Sequence, residues 1–329
     1  MKILEKIKGS ILNKSGKYSF YKDYYEETKK DSRNLKILEN QINELKEKTE
    51  LYKKSNFFEP GHFYSPIPNV ELIKNNEKKV FSRNNVLYGI DLNENTQFKY
   101  LNSIKSYYKE LPFEEEAKEG LRYKYNNSSY GFSDAIFLFG MIRTLKPKKI
   151  IEVGCGFSSC VTLDTNELFF NNNIETTFIE PYPKLFYSLI KEEDVENTEL
   201  IQSKLQDVDL SMFKDLKEND ILFIDSTHVS KFDSDVNYLI HTILPNLNKG
   251  VYIHFHDIFY PFEYHKPWIL EGRAWNEMYV LRAFLQFNDS FEIILFNTFL
   301  EEKYEDIFLK DMPLCLKNRG GSLWIKKVK

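Results

Sequence analysis

The chain has 329 residues, more than one average domain but not enough to force two. Hydrophobic residues make up 42% and aromatics 16%, with 27 Phe and 21 Tyr, which suffices for a sizeable, aromatic-rich core. A formal net charge of -4 argues against a general nucleic-acid binder, and three cysteines (Cys155, Cys160, Cys315) argue against a disulfide framework and for a cytoplasmic setting.

No run of about 18 apolar residues occurs, so no transmembrane helix is expected. The opening "MKILEKIKGSIL" is broken by Glu5, Lys6 and Lys8, unlike a secretory signal. Ile3, Leu4, Ile7 and Ile11 share one face of a short helix there. Leu35, Leu38, Ile42, Leu45, Thr49 and Tyr52 then recur at spacings of three and four, a short heptad seam. Such a helix is marginal alone and must pack on something. Pairing of two copies into a homo-oligomer and docking on the main domain fit the seam equally. "FFEPGHFYSPIP" (Phe57 to Pro68), with three prolines and a glycine, reads as an irregular segment whose aromatics pack on the following domain. "FEEEAKEGLRY" (Phe113 to Tyr123) reads as helical.

From Ser133 the pattern sharpens. "SDAIFLFGMIRTL" is a helix with Ser133 or Asp134 near its N-cap. "KKIIEV", "TTFIEP", "TELIQS", "DILFID" and "GVYIHFHD" read as five strands separated by helical segments. "FEIILFNTF" and "GSLWIKKV" are two more, without a helix between them long enough for a crossover, so one of them should be antiparallel. The expected architecture is α/β, a doubly wound, mostly parallel seven-stranded sheet of Rossmann-like type. Residues 1–56 are assigned to a helical extension, 57–132 to a lead-in and mixed helical cap, and 133–329 to the ligand-binding domain.

In such a sheet, ligands sit beyond the carboxyl ends of the strands. "IIEVGCGFSSC" (Ile150 to Cys160) puts Gly154 and Gly156 after the first strand, where missing Cβ atoms allow a tight turn and a close ligand. A dinucleotide fingerprint wants a third glycine where Ser159 stands, and the phosphate-loop lysine is absent. A nucleoside without phosphates remains, as in S-adenosylmethionine (SAM). Glu152 is placed to face its cationic amino end. Glu180 ends the second strand, where a carboxylate accepts from both ribose hydroxyls. Gln206 and Asp207 follow the third strand, where an adenine edge would lie. A dinucleotide-binding enzyme and a non-catalytic SAM-binding or scaffold subunit are the alternatives.

"FIDSTH" sets Asp225 at the end of the fourth strand and His228 just beyond it. "HFHD" sets His254, His256 and Asp257 at the end of the fifth. Adjacent strand ends lie close, so Asp225, His228, His256 and Asp257 converge beside the methyl donor's sulfonium. His254 reads as a satisfied core histidine. Two chemistries fit the four: a histidine general base that deprotonates a hydroxyl, or a divalent metal that lowers the hydroxyl's pKa. The long stretch "YPFEYHKPWILEGRAWNEMY" (Tyr260 to Tyr279) follows, and Glu271, Arg273, Trp275 and Asn276 are its candidate acceptor-binding residues.

Taken as a set, "IIEVGCGFSS", "FIEP", "DILFIDSTH" and "GVYIHFHDIF" resemble a class I SAM-dependent methyltransferase. The nearest likeness is the bacterial group related to macrolide-sugar and catechol-type O-methyltransferases, over about Ser133 to Lys329, with "GHFYSPIP" resembling its lead-in. The resemblance implies SAM as methyl donor and a hydroxylated small molecule or glycan as acceptor. It further implies an acid at Asp225 that binds Mg²⁺, a base at His228, and two adjacent acids after the fifth strand. Here that pair is His256 and Asp257. A histidine there departs from the pattern, since magnesium prefers oxygen ligands, and leaves Asp225, Asp257 and His256 as the candidate metal set.

Overall fold

The structure is a computed structural model that describes residues 26–27, 29–30, 32–52, 57–82 and 86–329. The helix expected around Ile3 to Ile11 lies outside the described residues. Contacts divide the chain into two units, Met1–Asn69 and Val70–Lys329, so the expected 57–132 segment is split between them. In the first unit, residues 32–52 are helical, and Leu35, Leu38, Ile42 and Leu45 of the heptad seam are exposed. Residues 57–69 form turns in which the rings of Phe58 and His62 stack 4.8 Å apart.

The second unit is built on a seven-stranded sheet: β1 (Lys149–Val153), β2 (Glu175–Ile179), β3 (Glu199–Ile201), β4 (Ile221–Ile224), β5 (Tyr252–His256), β6 (Phe291–Phe296) and β7 (Ser322–Lys327). Their spatial order is β3-β2-β1-β4-β5-β7-β6. Every residue of β4 and β5 is buried, as expected of near-continuous apolar runs in a parallel sheet covered on both faces. β7 runs antiparallel to both β5 and β6. The helices include α1 (Glu94–Tyr107), α2 (Phe132–Leu145), α3 (Phe157–Phe170) and α4 (Glu277–Leu285). Among the described residues, no helix is long and apolar enough to cross a membrane.

The strand order turns back between β1 and β4, which opens a crevice at their carboxyl ends. Register decides what lines it. Val153 pairs with Ile179 on one side and Ile224 on the other, and Ile224 pairs with Phe255. One residue further on, Gly154, Glu180, Asp225 and His256 therefore stand in a row across four strand tips.

The expected helix at Phe113 to Tyr123 does not form; that stretch is irregular. The reason is a buried ion network. The backbone N–H groups of Arg122 and Tyr123 donate to Asp164 of α3, so they are unavailable to a helix. The Arg122 guanidinium, with its side chain 3% exposed, reaches Asp164 and Glu167 at 2.8 Å each and also pairs with Asp194. This fastens residues 113–131 against α3 and fixes Tyr130 over the sheet, where its ring lies 6.1 Å from that of Phe223. Removing one member of a buried ion network strands the others. Arg122→Ala should cost about 3–5 kcal/mol of stability by urea denaturation. A loss below about 1 kcal/mol would mean that these pairs behave as exposed ones.

Candidate active site

A cavity of about 470 Å³ lies over the ends of β1, β2 and β4. Gly154, Glu180, Gln206 and Asp225 line it. Gly154 has φ +79°, and a Cβ there would stand 2.0 Å from the Asp225 carbonyl oxygen, so only glycine fits. Glu180 accepts a hydrogen bond from Tyr182 N–H at 2.7 Å, which fixes its carboxylate at the wall. Gln206 donates to the Asp233 carbonyl. Asp207 is exposed and is not part of this lining. Gly156 has an extended φ of -178°, and a Cβ there would make only ordinary contact with Leu185.

Glu152 and Ser159 take a different place from the one expected of them. Both are fully buried beneath the glycine turn, outside the lining of the cavity. Glu152 Oε1 accepts from Ser158 and Ser159 at 2.6 and 2.8 Å, and Ser159 Oγ also accepts from Gly156 N–H at the start of α3. The other oxygen, Glu152 Oε2, is buried without a partner. Burial pushes the carboxyl up to about 8, against the pull of the two serine bonds.

The histidine and acid cluster assembles as the strand ends dictate. His228 Nε2 lies 3.4 Å from Asp225 and 3.6 Å from Asp257, and His256 Nε2 lies 3.6 Å from Asp257. The other ring nitrogen of His228, Nδ1, is 2.8 Å from Glu277 Oε2. Burial disfavours a charged His228, but the bonds and charges of Asp225 and Glu277 outweigh it and push the imidazole up to about 10. Burial would raise the Asp225 carboxyl, yet His256 and His228 hold it below its ordinary value. His256 is itself raised: burial opposes its charge, and Asp257, Asp225 and Asp134 favour it.

His228 and Asp257 both adopt left-handed backbone conformations, with φ of 59° and 56°. Such conformations are costly for side-chain-bearing residues and need support from their surroundings. His228 has it: its carbonyl accepts from the N–H groups of Asn276 and Glu277 at 3.0 and 3.1 Å. His254 is a core histidine stacked 4.1 Å from Phe223, but both of its ring nitrogens lack partners, and burial holds its pKa well down.

Among the described residues, no group of three or more His, Cys, Asp or Glu has the arrangement of ion ligands. Asp225 and Asp257 face the same imidazole nitrogen instead, and His256 adds nitrogen rather than the oxygen that magnesium favours.

A second cavity, of about 280 Å³, opens on the far side of Asp257. Tyr130, Asp134, His256, Asp257, Phe259 and Trp268 are among its walls. Asp134 is buried, which pushes its carboxyl up to about 6, with His256 and the Gly321 N–H working against the shift. The four residues expected to bind an acceptor lie outside this lining. Arg273 stacks 4.4 Å over Trp268 and pairs with Glu271 at 3.1 Å. Trp275 packs its ring 4.4 Å from that of His228. Asn276 makes no capping bond; its side chain accepts from Ser230 N–H at 2.6 Å and so ties down the loop after His228.

Sequence reasoning missed Glu277, and a signal for it existed. Glu277, Leu281 and Leu285 fall at spacings of four and are buried together, so an acid stands on the apolar stripe of α4. Its carboxylate is occupied by His228 and by Ser226 Oγ at 2.8 Å. Asp134 and Tyr130 were missed as well, because a helix start and a loop tyrosine give no signal of depth.

A family model described as a methyltransferase domain matches residues 151–258. An uncharacterized protein of Archaeoglobus fulgidus is 41% identical over 173 residues, which covers 49% of this chain and 75% of that protein. Among solved structures, the SAH-bound methyltransferase PaMTH1 of Podospora anserina is 15% identical with a TM-score of 0.40, covering 80% of this chain and 99% of that one. An apo structure of CmcI is 17% identical with a TM-score of 0.37, covering 61% and 72%.

Glu152 makes a pH test of the buried turn. Its carboxyl keeps a proton up to about 8 in the fold, whereas in the unfolded chain it ionises near ~4.3. Between those values the unfolded chain binds fewer protons, so this group makes stability fall as pH rises. Glu152→Gln should remove that decline, and its melting temperature relative to the native protein should climb from pH 5 to pH 8. Parallel curves would contradict the buried, protonated carboxyl.

Proposed function

We propose that the chain is a SAM-dependent O-methyltransferase, moving the methyl group of SAM to a hydroxyl of a small molecule or glycan; the methyltransferase-domain model that matches residues 151–258 supports this reading. One observation carries the reading. A histidine, oriented at one nitrogen by a buried glutamate, turns its other nitrogen to two carboxylates, Asp225 at the wall of the larger cavity and Asp257 at the wall of the smaller. The larger cavity suits the donor and the smaller one the acceptor.

Several features support the donor assignment. Gly154 leaves room for close approach, the Glu180 carboxylate suits ribose hydroxyls, and Gln206 offers an amide to an adenine edge. Bound SAM supplies an electrophilic methyl on a cationic sulfonium. Asp225 faces that charge from the strand tip, which favours its ionised form. Glu277 holds His228 in one orientation, with Nε2 toward Asp225 and Asp257. In the ligand-free cluster the charges of Asp225 and Glu277 favour the imidazolium form of His228. A further positive charge beside Asp225 favours release of the imidazolium proton to solvent, after which neutral Nε2 can take the acceptor hydroxyl's proton. Asp257 then stabilises the imidazolium that forms. A purely binding role would not require this clamped histidine.

Two variants separate donor binding from chemistry. Glu180→Ala removes two charge-assisted hydrogen bonds, each worth about 1.5–3 kcal/mol, and should weaken SAM binding at least about tenfold by calorimetry. Unchanged affinity would remove Glu180 from the donor site. His228→Ala should lower turnover by about 10²–10⁴ while leaving SAM affinity nearly intact. Full activity in that variant would shift the base to His256.

A further inference from the structure

We propose that Asp134 is an acceptor-binding residue: its carboxylate accepts a hydrogen bond from a second hydroxyl of the acceptor and so selects uncharged, polyhydroxy acceptors. The assignment rests on the O-methyl transfer reading above.

Asp134 is 5% exposed and stands at the wall of the smaller cavity, with His256 and Asp257. Its Oδ1 accepts from Gly321 N–H at 3.0 Å and from the Asn297 amide at 3.3 Å. Among the described residues no hydrogen bond goes to Oδ2. The carboxylate is closely held, for a Cβ on Gly320 would stand 2.2 Å from Oδ1. Two deeply buried groups at the same cavity lack hydrogen-bond partners. They are the Tyr130 hydroxyl, 1% exposed, and Nδ1 of His256, 4% exposed, on rings 5.0 Å apart. Buried polar groups left unpaired are costly and rare in native proteins, which points to a polar ligand.

The kind of ligand follows from the groups. A hydroxyl both donates and accepts, so one polyol can serve a carboxylate, a tyrosine hydroxyl and an imidazole together. An acidic acceptor suits the place poorly. Asp134, Asp225, Asp257 and Glu277 outnumber His228 and His256 even when both rings are charged. The guanidinium of Arg319, also at this cavity, is engaged by Glu305. Phe259 and Trp268, with ring centroids 5.4 Å apart, offer an apolar wall to the carbon face of a sugar or aromatic ring.

The test uses acceptor pairs that differ by one hydroxyl: methyl glycosides with their mono-deoxy analogues, and catechol with phenol. Amine and thiol analogues complete the panel. The native enzyme should favour the richer member of at least one pair by about tenfold or more in kcat/KM. Asp134→Asn should bring that ratio near one by raising KM for the polyol, with kcat little changed and SAM affinity unchanged. Tyr130→Phe should move the ratio the same way by a smaller factor, and serves if the first variant does not fold. An unaltered ratio in the folded variants overturns the role of Asp134, as does a native enzyme that shows no preference or turns over no pair. Equal use of mono- and polyhydroxy acceptors leaves O-methyl transfer standing. Preference for the amine or thiol analogues removes that reading as well.

Discussion

The active region depends on one close approach. At the end of β1 the backbone turns through Gly154 so tightly that its Cα lies against the carbonyl of Asp225, leaving no space for a side chain. The same turn is held from the other side by a hydrogen bond from Gly154 N–H to Ile179 at 2.9 Å. A glycine with positive φ is therefore clamped between the ends of β2 and β4. That clamp places Asp225 of the histidine and acid cluster at the wall of the larger cavity. The position of this acid is a property of the sheet rather than of a flexible loop, as fixed geometry between reacting groups requires.

A second layer of support comes from outside the sheet. The beginning of α4 donates two backbone N–H groups to the His228 carbonyl, while Glu277 in the same turn holds the imidazole. Backbone and side chain of the histidine are thus fixed by one helix end. Its left-handed conformation persists because these bonds over-determine it. On the opposite flank, the Arg122 network presses residues 113–131 against α3, bringing Tyr130 to within 5.0 Å of His256, measured ring to ring. The smaller cavity therefore borrows walls from a segment with no regular structure of its own.

Much of this was legible in the sequence, for particular reasons. Apolar runs at β1, β4 and β5 announced a buried parallel sheet, and strand register then brings Asp225, His228, His256 and Asp257 together. One antiparallel strand was expected at the end of the chain, and β7 is that strand, although the connection before it carries the short helices Asn297–Lys303 and Glu305–Asp311. What stayed hidden depended on depth rather than on period. Glu152 and Ser159 flank the glycines in sequence, but the turn buries them beneath the cavity instead of at its wall. Residues 113–123 have the composition of a helix, yet Asp164 takes the N–H groups that a helix would need. Glu271, Arg273, Trp275 and Asn276 bond mainly among themselves and to the His228 loop. The partners that orient or extend the cluster, Glu277 and Asp134, lie 49 and 94 residues from His228 along the chain, and only the fold reveals them.

The central claim is that the clamped histidine and its acids direct the methyl group of SAM to oxygen. The most direct measurement is transfer from SAM carrying a ¹³C-labelled methyl group, with the product read by carbon NMR. The account predicts that the label appears as a methoxy carbon on the acceptor. Label on nitrogen, sulfur or carbon of the product would contradict it.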